Sequence, residues 1–419
     1  MIDNADKLKL TRLVDALEVR KLALVGDRGQ LAAITAGAPF ALLLDSMIPQ
    51  AVMDTLRRQR DPELRAAVGA LAEGQSHGMR RLEGRVVEAG DRAGALTLAG
   101  RAFEEWKAAH DQGVTRPIIT VSQEQRSVVN GMIVGHLEAT GEIAKLGPKR
   151  DVLVQHHLVG PERWKAGNYR LGQELVFHSR LVAAGIGKGE HARIVGLDTS
   201  RSGNVLTVLK EDGRAATIGL NALRRRGEDK FVPYDRDAGG QLYRGGAFVF
   251  ERTNIDPAID VKAGEAFTVL GEANGRIDLR LASGRTLSLA ADDKQLLFVG
   301  AGYAMTTHRS QGLTMAVDPI GILSSRNATL ASAYVQISRA VSGITIVTDN
   351  FENLVRNISL RDGLNPIATF SVRPEQALGP SMTKLAAGPP VAPFDPSLNK
   401  PEPEKSILQD RPLPSDRSL

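Results

Sequence analysis

Tyr303-Ala-Met-Thr-Thr-His-Arg-Ser-Gln-Gly312 and Tyr334-Val-Gln-Ile-Ser-Arg-Ala340 flank the apolar run Ile320-Gly-Ile-Leu323, and a further run, Ile344-Thr-Ile-Val347, follows. Short apolar runs alternating with helical stretches are the signature of buried parallel strands joined by helices. The spacing predicts a strand over 296–299, a helix near Gln311, a strand over 320–323, a helix through Arg339 and a strand over 344–347. Thr307, His308, Arg309, Ser310, Gln311 and Gly312 enter a helix. Such a run presents hydroxyls and backbone N–H groups to phosphate oxygens. His308 has no second ligand at helical spacing, which argues against a zinc site.

Upstream, Leu24-Val-Gly-Asp-Arg-Gly-Gln-Leu31 starts with the same grammar. Leu22 to Val25 reads as a short strand that stops at Gly26-Asp27. Asp27 and Gln30 would then lie at the carboxyl edge of a parallel sheet, where open α/β sheets bind ligands. An ordinary strand-to-turn exit accounts for Gly-Asp equally well. Helical spacing is expected over 40–44, 51–60 and 62–71, with Glu63 and Arg65 exposed.

A new unit is expected near Arg116-Pro117. It opens with a strand over 118–121, then a helix through Leu137 capped reciprocally by Ser122 and Gln125. From 166 to 297 short alternating strands such as Val205 to Leu209 and Arg276 to Leu281 are separated by turns such as Glu211-Asp-Gly213, as in small β-barrels. After 372 proline, serine and charge dominate, which predicts a disordered tail. The expected organisation is therefore 1–112, then 113–165 with 298–371, a β insertion at 166–297, and the tail 372–419.

The 419 residues are 42% hydrophobic, enough for more than one core, with a formal net charge of +5. That excess suits a protein that touches phosphates, and Arg57, Arg58 and Arg60, or Arg224 to Arg226, are candidate contacts. Clusters of this size are equally at home on a solvated helix face. The chain has no cysteine, which excludes disulfides and cysteine-ligated metals and fits a reducing compartment. No apolar run approaches the ~20 residues of a membrane span, and the first residues lack the regions of a signal peptide. A cytoplasmic protein without a membrane partner is expected.

Taken in order, these motifs resemble those of a RecD-like superfamily 1 helicase. The similarity is strongest to the helicase region of TraI/TrwC-type conjugative relaxases. Further segments carry it: Val121-Ser-Gln-Glu-Gln-Arg-Ser-Val-Val-Asn130, Ala166-Gly-Asn-Tyr-Arg-Leu-Gly-Gln-Glu-Leu-Val-Phe177 and Gly245-Gly-Ala-Phe-Val-Phe-Glu-Arg-Thr-Asn254. The resemblance spans roughly residues 1–350. It implies a partial RecA-like domain, then a RecA-like domain interrupted by small β-barrel insertions that help grip single-stranded DNA. The implied activity is ATP-driven 5′-to-3′ unwinding during plasmid transfer, with ATP and Mg²⁺ as cofactors.

On the residues that match, the resemblance assigns Asp3 to Mg²⁺, Gln30 and Arg58 to the γ-phosphate, and Arg339 to an arginine finger. Gln311 and Gly312 would face the nucleotide. Asp27, Thr307, His308, Arg309 and Ser310 would face DNA, Asp27 linking it to the nucleotide. Three departures matter. Asn4 stands where the family has Glu, and an amide orients water but cannot take its proton. Leu313-Thr314 replaces the ribose-binding Glu. No Gly-x-x-x-x-Gly-Lys-Ser/Thr loop occurs, so the phosphate cradle is missing from this chain. The chain is thus expected to begin partway through its first motor domain and to be a poor ATPase alone. It would work with a separately supplied Walker A half or relaxase, or else serve as a non-catalytic DNA-binding module or an inactive relic. For the helicase ancestry to hold, Gln30, Arg58 and Arg339 must meet in one cleft, with Gln311 nearby.

Overall fold

The computed structural model describes residues 4–17, 22–27, 29–31, 39–44, 50–53, 55–91, 93–158, 160–200, 203–227, 229–253 and 259–361. Asp3, with its expected metal role, and the tail 372–419 lie outside the described residues.

Five strands form an all-parallel sheet in the order Val86–Glu88, Thr345–Thr348, Ile320–Ile322, Ile118–Thr120, Ala304–Thr306. The three central strands are buried almost throughout, without alternation, because both faces are covered, and the two edge strands are partly open. Ile320, Ile322 and Val347 join one core with helices Ala95–His110 and Gln123–Ala139. Leu323, Ile344 and Ile346 join another with helices Pro62–Ala72, Leu330–Ser338 and Phe351–Ser359. The expected α/β class is present. Ser122 and Gln125 form the expected capping box, the Ser122 hydroxyl accepting from Gln125 N at 3.2 Å.

The expected boundary at 112 does not separate two sheets. Val86 to Glu88 pair with Ile346 to Thr348, so an edge strand comes from ahead of it. Parallel neighbours need only share an edge, and sequence distance does not limit them. Leu22 to Val25, expected as a strand, has no strand partner among the described residues, and Val25 is 85% exposed. The described residues of 51–60, where a helix is expected, are not helical either. Pro62 disfavours helical backbone at Asp61, which is extended (φ −71°, ψ 129°). Ahead of it the chain docks instead, Arg60 N donating to Val341 O at 2.8 Å.

The β insertion is larger than expected, running from Ala144 to Ala301. Ala144–Gln155 pairs with the long strand Phe231–Arg244, and register shifts near Leu146 and Arg150 absorb Gly147 and Pro148, which read as strand breakers. These two strands belong to a six-stranded antiparallel sheet, and a five-stranded antiparallel sheet completes the insertion. The six-stranded sheet has its own core, to which Leu175, Phe177, Ile194, Leu206, Ile218 and Phe231 contribute from five strands. Phe248, Phe250 and Phe267 of the other sheet share the core of helices 95–110 and 123–139. The insertion is thereby seated on the α/β part.

Candidate functional site

Helix Leu330–Ser338 organises the site. Thr329 caps it reciprocally with Ser332, and Ala331 to Ser338 are all buried. A helix buried on every side can present polar side chains only to partners inside the protein, and Tyr334, Gln336 and Arg339 all do so.

Asp27 lies against its middle, at Tyr334. The Asp27 carboxylate accepts from Gly29 N at 2.9 Å, closing a short turn, and from Gln30 Nε2 at 2.9 Å. The Tyr334 hydroxyl donates to Asp27 Oδ2 at 2.7 Å. Burial, then the carboxylate, push the Tyr334 hydroxyl well above its ordinary pKa. Gln30 is engaged at its other end, where Gln311 Nε2 donates to Gln30 Oε1 at 2.9 Å. Gly312 follows with φ +87°, a left-handed turn that explains the glycine without any ligand.

At the inner end Arg58 Nη1 donates to Ser338 O at 2.6 Å, and buried Gln59 donates to Ser338 O and Ala340 O, each at 3.1 Å. These are carbonyls that a terminating helix leaves without partners. Arg339 is 2% exposed and folds back, giving Nε to Val335 O, Nη1 to Leu313 O and Nη2 to Ser338 Oγ at 2.9–3.1 Å. Burial first, and the nearby Arg58 charge second, lower its pKa. Neither Arg58 nor Arg339 is ion-paired among the described residues.

Gln30, Arg58, Gln311 and Arg339 therefore gather around one helix. Thr307 and Ser310 do not face outward as expected. The Thr307 hydroxyl donates to Thr120 O at 3.0 Å and accepts from Gln336 at 2.9 Å, and Ser310 donates to Thr307 O at 2.8 Å. Both are buried, because two short parallel strands need their ends tied together. His308 is exposed, and Arg309 reaches Glu251 of the β insertion.

Gln59 matches, with Arg58, the Arg-Gln element of the helicases that the chain resembles, whereas Gln336 stands out only as a polar residue in an apolar helix. Arg126 and Glu251 lie in segments that resemble the helicase family, but nothing in the sequence indicates their proximity to Arg309, which arises from packing. Among the described residues no group of three His, Asp or Glu is placed to hold a metal, and no helix is long and apolar enough to cross a membrane.

Residues 1–93 match the family model described as an AAA domain. This covers the segment that holds Asp27, Gln30 and Arg58. No curated protein matches the chain. Among solved structures, the chain is similar to Pif1 helicase from Bacteroides in complex with ADP-AlF3 and single-stranded DNA, at 15% identity over 71% of this chain and 51% of that one, with a TM-score of 0.23. Pif1 helicase from Candida albicans is similar at 11% identity over 72% and 56%, with a TM-score of 0.25. The chain spans about half the length of these structures. Likeness this loose assigns no residue.

Proposed function

We propose that this chain is a portion of an ATP-dependent 5′-to-3′ DNA helicase of the superfamily 1, conjugative-relaxase type, one that binds single-stranded DNA and supplies arginines to the nucleotide site. The observation that carries this is the meeting of three segments distant in sequence at helix 330–338 and its cap Arg339, through Asp27–Tyr334, Gln30–Gln311, Arg58–Ser338 and Arg339–Leu313. Two guanidiniums near one another, with Asp27 as the neighbouring carboxylate and neither of them ion-paired to it, suit a polyanion. Arg58, Arg339, Gln30 and Gln311 would hold the phosphates of ATP, whose γ-phosphoryl transfer drives such motors. A magnesium role rests on Asp3, outside the described residues. Arg339 would reach a phosphate only by releasing Leu313 O and Val335 O.

The test is binding of a fluorescent oligothymidylate, followed by ATP hydrolysis after mixing with a separately expressed Walker A half. Binding should weaken with salt by ~0.7 logarithmic units per phosphate contacted. DNA-stimulated hydrolysis should appear only in the mixture. Absence of binding at low salt overturns the DNA reading. The inward Arg339 favours a second reading, a non-catalytic single-stranded DNA-binding module. Binding indifferent to nucleotide, with no hydrolysis in any mixture, selects it.

A further inference from the structure

Arg309 donates from Nη1 to Glu251 Oε1 at 3.3 Å, from Nη2 to Oε2 at 3.0 Å, and from Nη2 to Phe250 O at 3.3 Å. Arg126, in the first turn of helix 123–139, donates to the same Glu251 Oε1 at 2.7 Å. Two guanidiniums of the α/β part thus converge on one carboxylate of the β insertion, and all three side chains keep 18–24% of their surface open to solvent. Gly300 makes room for that carboxylate, since a Cβ there would come within 2.6 Å of Oε1.

The charges at this junction do not balance. Two cations share one anion, and Arg126 Nε is buried without an acceptor. The neighbouring surface adds further donors. Exposed His157 lies 3.4 Å from Gln123 Nε2 and within the fields of Arg126 and Glu251, and exposed His308 adjoins Arg309 in the chain. A carboxylate and a phosphodiester present the same pair of oxygens to a guanidinium fork.

We propose that Arg126 and Arg309 form a phosphodiester site for single-stranded nucleic acid, and that Glu251 occupies it as an internal stand-in which an arriving phosphate displaces. This rests on the DNA-binding reading above. Glu251 then has two effects. It weakens nucleic-acid binding by competing for both arginines, and its displacement loosens the β insertion from helix 123–139 and from the Thr307–Gln311 segment.

The test compares wild type, Glu251→Gln, Arg309→Gln and the Glu251→Gln/Arg309→Gln double variant, using the same oligothymidylate and, separately, thermal shift with inorganic phosphate. Glu251→Gln keeps the shape and removes the competing charge. It should bind the oligonucleotide roughly tenfold more tightly, and its salt slope should steepen by about 0.7–1.4. Phosphate should stabilise it more than wild type. Arg309→Gln should bind more weakly and cancel the gain in the double variant. Unchanged or weaker binding by a folded Glu251→Gln, or a gain that survives loss of Arg309, overturns the proposal. Should Glu251→Gln fail to fold, Glu251→Asp, which retracts the carboxylate by one methylene, is read by the same criteria. If no variant binds the oligonucleotide, the DNA reading fails by itself, and the phosphate shift still decides whether Glu251 blocks an anion site.

Discussion

The Tyr334 hydroxyl donates to Asp27 Oδ2 at 2.7 Å, joining residues 307 positions apart. Gly29 lies beneath the same ring, where an added Cβ would stand 3.3 Å from Tyr334 ring carbons. The segment that carries Gln30 is thus seated on helix 330–338 by one phenol. The Gln30–Gln311 bond is a second tie, and among the described residues Leu22 to Val25 has no strand partner.

Tyr334→Phe should therefore act locally. The expected cost is about 1–2 kcal/mol in the opening of residues 22–31, read as faster amide exchange there with little change in helix 123–139. Burial and the Asp27 bond raise the Tyr334 pKa, so the neutral hydroxyl is favoured in the folded state. Its contribution is complete below pH ~10 and is lost as pH rises through the higher folded-state value. Denaturation at alkaline pH should show this loss in wild type and not in the phenylalanine variant. Equal exchange in both proteins would refute the docking role.

Gln59→Ala should destabilise the whole α/β part by about 2 kcal/mol, because it leaves Ser338 O and Ala340 O short of a buried donor. The midpoint of urea unfolding is the measurement. A change under half of that would mean that Arg58 alone satisfies the helix end.

Arg339→Ala separates a structural arginine from a waiting finger. An exposed finger costs less than about 0.5 kcal/mol of stability when truncated. Arg339 holds Val335 O and Leu313 O, so its loss should cost about 2–4 kcal/mol. Arg339→Lys should recover only part of this, since one ammonium cannot span three acceptors.

Asp61→Ala removes the N-cap of helix 62–72, where Oδ1 accepts from Leu64 N at 2.7 Å. The expected loss is about 1 kcal/mol. The Leu64 N–H holds the Asp61 carboxyl below its usual range, against a smaller opposing effect of burial, with Arg85 assisting. The cap's contribution is therefore present above the ordinary aspartate value and disappears as pH falls through the lower folded-state value. Wild type and variant should converge in stability at the acid end of a pH series.

Much of the α/β part is legible without coordinates. Ile118 to Thr120, Ile320 to Ile322 and Thr345 to Thr348 lie within a residue or two of the predicted strands, because fully buried strands must be continuously apolar. The Ser122 cap is equally local. Local pattern misleads at 51–60, where helical spacing is overruled by Pro62 and by docking against Ser338 to Val341. At Leu22 to Val25 the apolar run finds no neighbouring strand among the described residues.

The candidate site divides in the same way. Which residue types are available to phosphate, among them Gln30, Arg58, Gln311 and Arg339, follows from composition and order along the chain. Whether their groups are free does not. Thr307 and Ser310 spend their hydroxyls inside the protein, and Arg339 spends its guanidinium on carbonyls.

Sequence alone determined the periodicity of strands and helices, the caps and the glycine turns, all of which depend on interactions within a few residues. Tertiary structure alone decided that Val86 to Glu88 complete the parallel sheet and that Glu251 lodges between Arg126 and Arg309. The reason is physical. Parallel pairing and ion pairing are satisfied by whatever the folded chain brings within a few ångströms, and sequence separation does not enter their energies.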